Sequence, residues 1–398
     1  MPEALTTPAI RVARIITRLN IGGPAIQAIE MSARLETVGY HTLLIHGRLG
    51  PGEGDMQYLV ASDHHFETAH VPALRRDVAP FADVAAVAHV FQLLSRFRPA
   101  IIHTHTAKAG TVGRAAGLAY NATVGRRTPA RFVHTYHGHV LDGYFSSPTT
   151  ATFAAIERFL GRHTDTLIAV SSSVQRQLEL QHQIGSRFRI VPLGFDLSRF
   201  AAINDDARAS ARPEFGLGAD ARVVAFVGRL TAIKQPLLFM RSAARIAHVD
   251  PRARFLVAGG GELERDVRTA AHAMGLGDHV QFLGWRRDLV PVYAAADVLA
   301  LTSRNEGTPV ALIESMAAGI AAACFDVGGV PDVITAPDLG VLVPPDDVDA
   351  LGAAITNLFA DERRRRAIGS RARASALSRF GIDRLVHDVD TLYRELVK

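Results

Sequence analysis

Ile10-Arg11-Val12-Ala13-Arg14-Ile15-Ile16-Thr17-Arg18-Leu19 is a mostly apolar run of strand character, followed by Asn20-Ile21-Gly22-Gly23-Pro24, a helically spaced stretch over 25–38, and then His41-Thr42-Leu43-Leu44-Ile45-His46. Two apolar runs on either side of an amphipathic helix are the pattern of a β-α-β unit. The pattern repeats. A helix over 82–97 feeds a strand over 100–104, a helix over 110–120 feeds one over 131–136, and another helix precedes 166–170, with 189–192 as the last strand. Strands alternating with helices predict a parallel sheet covered on both faces.

Residues 195–218 carry few apolar clusters and several Asp, Asn, Pro and Gly, and so read as a connector. A second alternating series follows, with strands expected over 222–226, 254–258, 280–283, 297–301 and 321–325. Beyond Asp346 the chain is mostly helical, and its last apolar-periodic piece, 382–396, is long enough to leave the second lobe. The class is therefore α/β, with two Rossmann-like, doubly wound parallel-sheet lobes over 1–195 and 196–379. Residues 380–398 form a terminal helix expected to pack back on the first lobe.

Composition agrees with two cores. At 398 residues the chain has the length of two α/β domains, and 48% apolar with 21% charged residues is a globular enzyme's profile. The single cysteine, Cys324, lies in an apolar run, so no disulfide framework is available and a reducing compartment is expected. Residues 1–8 lack the basic start and apolar segment of an export signal, and no apolar run has spanning length, which predicts a cytoplasmic protein. The net charge of +5 suits phosphate-bearing ligands or an anionic membrane surface. The basic residues are scattered apart from Arg363 to Arg366, which reads as a solvated helix face, and no nucleic-acid motif accompanies them.

The chemistry concentrates in Ser303-Arg304-Asn305-Glu306-Gly307-Thr308-Pro309-Val310-Ala311-Leu312-Ile313-Glu314-Ser315-Met316-Ala317-Ala318-Gly319. Thr308 is the expected N-cap and Pro309 the expected first helical residue. The unpaired amides of such a helix start, around Gly307, Thr308, Pro309 and Val310, suit a diphosphate. Glu306 lies before the helix and Glu314 about 7 to 8 Å along it, so one carboxylate can reach hydroxyls on one side of a diphosphate and the other a ribose diol beyond it. Either carboxylate alone would also read as an ordinary surface charge.

Glu306, seven residues, then Glu314 and Ser-Met-Ala-Ala-Gly resemble the signature of family 4 retaining glycosyltransferases of the GT-B fold, notably bacterial members that assemble exopolysaccharide and cell-surface glycans. The likeness extends through Asn20-Ile21-Gly22-Gly23-Pro24, Ile102-His103-Thr104-His105-Thr106-Ala107-Lys108-Ala109-Gly110, His134-Thr135-Tyr136-His137-Gly138-His139 and Val227-Gly228-Arg229-Leu230. It implies an interlobe cleft, a nucleotide-diphosphate sugar in the second lobe, and a glycan, lipid-linked or small-molecule acceptor on the first. A hexose-type sugar would move with its anomeric configuration retained.

The resemblance also distributes roles. Arg229 and Lys234, five apart after the first strand of the second lobe, can place two cations on a diphosphate leaving group and match the family's donor-phosphate pair. His137 takes the family's contact with the donor sugar near the reacting carbon. Gly260 in Gly259-Gly260-Gly261-Glu262 and Arg286 in Gly284-Trp285-Arg286-Arg287-Asp288 belong to the nucleotide pocket, although Trp285 reads equally as a packing residue. Gly22 and Gly23 would admit a phosphate or sugar to backbone amides, or serve a plain tight turn.

No metal or other cofactor is expected. Asp347-Val348-Asp349 and Asp388-Val389-Asp390 have the Asp-x-Asp form but lie in the helical C-terminal part, and His103 with His105 lacks a third ligand. The loop Gly143-Tyr144-Phe145-Ser146-Ser147 could meet an acceptor or a lipid surface, or plug a core. Peripheral contact with the inner face of the membrane is thereby permitted. The rivals are a nucleotide-sugar epimerase on a similar two-lobed fold and a non-catalytic sugar-nucleotide binding protein.

Overall fold

The computed structural model describes residues 9–20, 22–50, 56, 66–138, 147–181, 184 and 187–398. Residues 1–8, His139 and 143–146 of the aromatic loop lie outside the described residues. The chain divides into two compact units. One combines the chain up to Phe195 with Ile382–Lys398; the other is Asp196–Gly381.

The first unit holds β1 (Ile10–Ile16), β2 (Tyr40–His46), β3 (Glu67–His70), β4 (Ile101–His105), β5 (Arg131–Tyr136), β6 (Thr166–Ala169) and β7 (Phe188–Ile190), in the order β3-β2-β1-β4-β5-β6-β7 with every pair parallel. The second holds β8 (Arg222–Val227), β9 (Ala253–Ala258), β10 (Val280–Gly284), β11 (Val298–Leu301), β12 (Ala321–Phe325) and β13 (Val341–Val343), in the order β10-β9-β8-β11-β12-β13, again all parallel. Each sheet grows outward from its first strand and then reverses, between β1 and β4 in one and between β8 and β11 in the other. In doubly wound sheets the carboxyl ends of the strands at that reversal are where ligands bind.

Period-two alternation explains how β1 serves two cores. Ala13 and Ile15 are buried with Val90 and Leu94 of helix Pro80–Phe97 and Ala116 of helix Ala107–Ala122. Val12, on the opposite face, is buried with Leu35 of helix Gly23–Glu36 and with Leu385, Val389 and Leu392 of helix Ile382–Val397. The spacing of those last three residues gives the terminal helix one apolar stripe, and the first unit's sheet covers it.

Several elements depart from the sequence-based expectation. The connector contains helix Asp205–Glu214, capped by Asn204, whose side chain accepts from the Ala207 amide at 2.9 Å. Ala211 is the only buried residue of this helix. Polar anchors hold it instead: Arg208 donates to the carbonyls of Ala296 (3.2 Å) and Ala318 (2.9 Å), and Arg212 to Asp297 (2.9 Å). Edge strands β3 and β13 were not expected, since they have only four and three residues. The terminal division falls at Gly381/Ile382 rather than 379/380, because the preceding helix runs to Phe380. Within the arginine run, Arg365 is buried and donates to the Leu358 carbonyl at 3.2 Å, while Arg363, Arg364 and Arg366 are exposed as expected.

Candidate functional site

In the second unit the loops leaving β8 and β11 are tied together. Thr302 Oγ1 donates to the carbonyls of Lys234 (3.1 Å) and Gln235 (3.2 Å), and the Arg304 amide donates to the Ile233 carbonyl at 2.8 Å. Lys234 Nζ is thereby set in an ion pair with Glu306 Oε1, which also accepts from Ser303 Oγ at 2.6 Å. The Glu306 side chain is 8% exposed, so Lys234 neutralises a charge that would be costly there alone. From behind, the Gly329 amide donates to the Glu306 carbonyl at 2.8 Å. Gly328 has φ +52, and a Cβ there would lie 2.3 Å from that carbonyl oxygen, so the loop accepts only glycine.

The helix beyond spans Val310–Ala317 and begins one residue later than the sequence suggested. Pro309, with φ −78 and ψ 93, is its N-cap, and its carbonyl accepts from Leu312 (3.1 Å) and Ile313 (3.2 Å). Thr308 is therefore not the cap. A residue preceding proline is pushed out of the α region, and Pro309 itself takes an extended ψ. The first-turn amides without an intrahelical acceptor are those of Val310 and Ala311, with half-buried Gly307 and Thr308 in the loop before them.

Glu314, half-buried on this helix, accepts from Tyr293 Oη at 2.7 Å. Burial pushes its carboxyl up to about 7, partly opposed by the Tyr293 hydrogen bond. Between the ordinary value of 4.5 and about 7 the folded state holds more protons than the unfolded chain. Stability should therefore fall as pH rises across that window and level off above it. Glu314→Gln should flatten this part of the curve in urea titrations, and an unchanged slope would contradict the assignment.

The remaining expected donor residues are placed differently. Arg229 is exposed and makes no ion pair among the described residues. A Cβ at Gly260 would lie 2.7 Å from Trp285 Nε1, and one at Gly259 1.9 Å from the Gly228 carbonyl, so packing alone accounts for these glycines. Trp285 covers Gly260 and keeps 45% of its surface exposed. Arg286 pairs with Glu214 at 3.0 Å and stacks on Phe215. Gly22 caps helix Gly23–Glu36, and a Cβ there would meet nothing closer than 3.8 Å.

In the first unit Arg14 of β1 lies beside His103 of β4 in register, and Ile16 beside His105. The Arg14 guanidinium is fully buried, with Nη1 3.2 Å from His103 Nδ1 and 3.0 Å from His105 Nε2, and Nη2 donates to Tyr393 Oη at 3.2 Å. His103 Nε2 lies 2.7 Å from Thr135 Oγ1, and His105 Nδ1 lies 2.9 Å from His137 Nε2. The two stacked rings thus face a guanidinium NH2 group where a metal pair would need its ion. Burial, with Arg14 second, pushes His137 down to about 3; burial likewise holds His103 and His105 well below the usual histidine range. All three are neutral near pH 7. His134 bonds Thr104 Oγ1 at 2.7 Å and packs under Gly110, a structural place.

Both Asp-x-Asp sequences have other partners. Asp347 caps helix Val348–Ala360, Asp388 pairs with Arg384 at 2.8 Å, and Asp390 accepts from Tyr40 (2.7 Å) and Arg394 (2.8 Å). Sequence reasoning missed Arg14, Ser303, Tyr293, Gly328 and Tyr393. Arg14 had a visible signal, a charge in the middle of an apolar strand.

Residues 21–199 match the family model described as Glycosyltransferase Family 4, and residues 207–375 match that of Glycosyl transferases group 1. The chain is 28% identical over 334 residues to the Escherichia coli UDP-Gal:alpha-D-GlcNAc-diphosphoundecaprenol alpha-1,3-galactosyltransferase, covering 82% of this chain and 83% of that one. It is 30% identical over 290 residues to the GDP-mannose-dependent alpha-(1-6)-phosphatidylinositol monomannoside mannosyltransferase of Mycolicibacterium smegmatis, covering 70% and 74%. Among solved structures, Anabaena HepE in complex with UDP superposes with a TM-score of 0.81 at 19% identity, over 97% of this chain and all (100%) of that one.

Proposed function

Because the chain belongs to glycosyltransferase family 4 and has the GT-B fold, we propose that it moves a hexose-type sugar from a nucleoside-diphosphate sugar to a glycan, lipid-linked or small-molecule acceptor, with retention and without a metal ion. The observation that carries this is the Lys234–Glu306 pair at the β8/β11 reversal, in the loops leading to the helix start at Val310. The negative charge that develops on a departing diphosphate must be met by fixed donors. Lys234, exposed Arg229 and the amides of Val310 and Ala311 are such donors, and Lys234 also lets the Glu306 carboxylate sit near phosphate. Glu306 then accepts from sugar hydroxyls, Glu314 from the ribose diol, and His137 takes the sugar contact implied by the family. Attack on the same face, with a donor phosphate oxygen taking the acceptor's proton, needs no protein nucleophile.

The relatives' activities support a nucleotide donor and, by likeness to the Escherichia coli enzyme, a lipid-diphosphate acceptor. A lipid-linked acceptor also suits peripheral membrane contact from the cytoplasmic side. Val78, Phe81 and Val84 are exposed, Phe81 at 95%, beside exposed Arg75 and Arg76. Apolar side chains flanked by basic ones favour an anionic lipid surface. Among the described residues no helix is long and apolar enough to cross a membrane. The family match does not favour the epimerase or the non-catalytic reading.

A thermal-shift panel of UDP-, GDP- and ADP-sugars in EDTA tests the donor assignment. One nucleotide class should stabilise the chain, by about 2.7 kcal/mol at a hundred times its Kd. Stabilisation and transfer that appear only on adding a divalent ion would overturn the metal-free reading. An inverted anomer in the product NMR spectrum would overturn retention.

A further inference from the structure

We infer that Arg14 is a positioning residue for His137, fixing its imidazole through His105 as the Nδ1–H tautomer, so that Nδ1 is a hydrogen-bond donor for a hydroxyl of the donor sugar. This assignment rests on His137 meeting that sugar. It follows from what each group can donate or accept. A guanidinium only donates, so His105 Nε2, 3.0 Å from Arg14 Nη1, carries a lone pair. Neutral His105 then bears its proton on Nδ1 and donates to His137 Nε2 at 2.9 Å. His137 Nε2 is thereby an acceptor, and the ring's one proton lies on Nδ1.

The rest of the layer holds Arg14 in place without touching His137. Tyr393 Oη accepts from Nη2, and His103 takes the second Nη1 hydrogen while Thr135 takes the proton on its Nε2. Arg14 has no exposed surface, so water does not compete for its hydrogens. His137 Nδ1 is buried and has no hydrogen-bond partner among the described residues. Burial and the Arg14 charge disfavour the imidazolium, in keeping with a chain of neutral rings. An Nδ1–H held this way donates without changing protonation state.

Ring-nitrogen NMR of the full chain labelled with 15N-histidine tests this without any sugar nucleotide. His137 is assigned by the signals lost in H137Q. Wild type and R14K, which keeps a donor, should show a protonated Nδ1 and a bare Nε2; R14M should move the proton to Nε2. Should R14M fail to fold, H105F removes the relay while keeping an aromatic ring, and the same transfer is expected. Y393F, which removes a hydroxyl bonded to Arg14 and His103 and keeps the ring, should leave His137 unchanged. A wild-type His137 protonated on Nε2, or an Nδ1–H that survives both R14M and H105F, would overturn the relay. Full turnover in H137A would instead remove the sugar contact and leave the tautomer result standing, so the two failures are distinguishable.

Discussion

Glu306→Gln is expected to lower kcat/KM by about 100- to 1000-fold, the usual consequence of removing one preorganised polar group from a transition-state site. Lys234→Met should do the same to transfer but differ in stability. Glu306 is 8% exposed and, among the described residues, its carboxylate is otherwise supported by Ser303 alone, so removing Lys234 strands a buried carboxylate. Breaking a well-buried pair costs about 3–5 kcal/mol; with Lys234 21% exposed, the cost here should sit at or below the low end. The double variant Lys234→Met, Glu306→Gln should regain most of that stability, because no charge is left unpaired, while transfer stays lost. Urea denaturation and nucleoside-diphosphate release separate the two effects. Near-normal turnover in both single variants would remove the pair from the site.

Glu157→Ala is expected to be the most destabilising single change in the first unit, by about 3–5 kcal/mol. Arg114 and Glu157 are 1% and 4% exposed, and Arg114 Nη2 donates to both carboxylate oxygens at 2.8 and 2.7 Å. Tyr136 Oη adds a third donor at 2.7 Å, and burial followed by the Glu157 charge keeps that phenol protonated. Deleting the carboxylate leaves an unpaired buried guanidinium. The effect reaches function, since Tyr136 ends β5 and His137 follows it. Arg114→Met with Glu157→Leu should recover much of the loss in the urea midpoint. A midpoint within error of wild type for Glu157→Ala would show that the carboxylate does not hold this corner.

Long buried strands were legible because both faces of a parallel sheet are covered, so β1, β5 and β12 read as apolar runs from the sequence alone. Edge strand β3, Glu-Thr-Ala-His, has one covered side and no apolar run to announce it. Helix Asp205–Glu214 escaped for a related reason: arginines reaching carbonyls on other segments carry no 3.6-residue signal. The segment around Glu306 could be found because proline, glycine and two carboxylates cluster in sequence. Its partner Lys234 lies 72 residues away, and that pairing is set by Thr302 and Arg304 binding the backbone of 233–235. Arg14, His105 and Tyr393 come from three distant elements, so their layer exists only after folding.

The terminal helix gives the chain an order of assembly. Its apolar stripe covers Val12, Ile101 and Val133, yet it follows the whole of Asp196–Gly381 in the chain. Asp196–Gly381 is a continuous stretch and can close its core as soon as it leaves the ribosome. The lobe begun first must wait for residues 382–397 with part of its sheet uncovered. Apolar surface left uncovered in this way is open to aggregation until the helix docks.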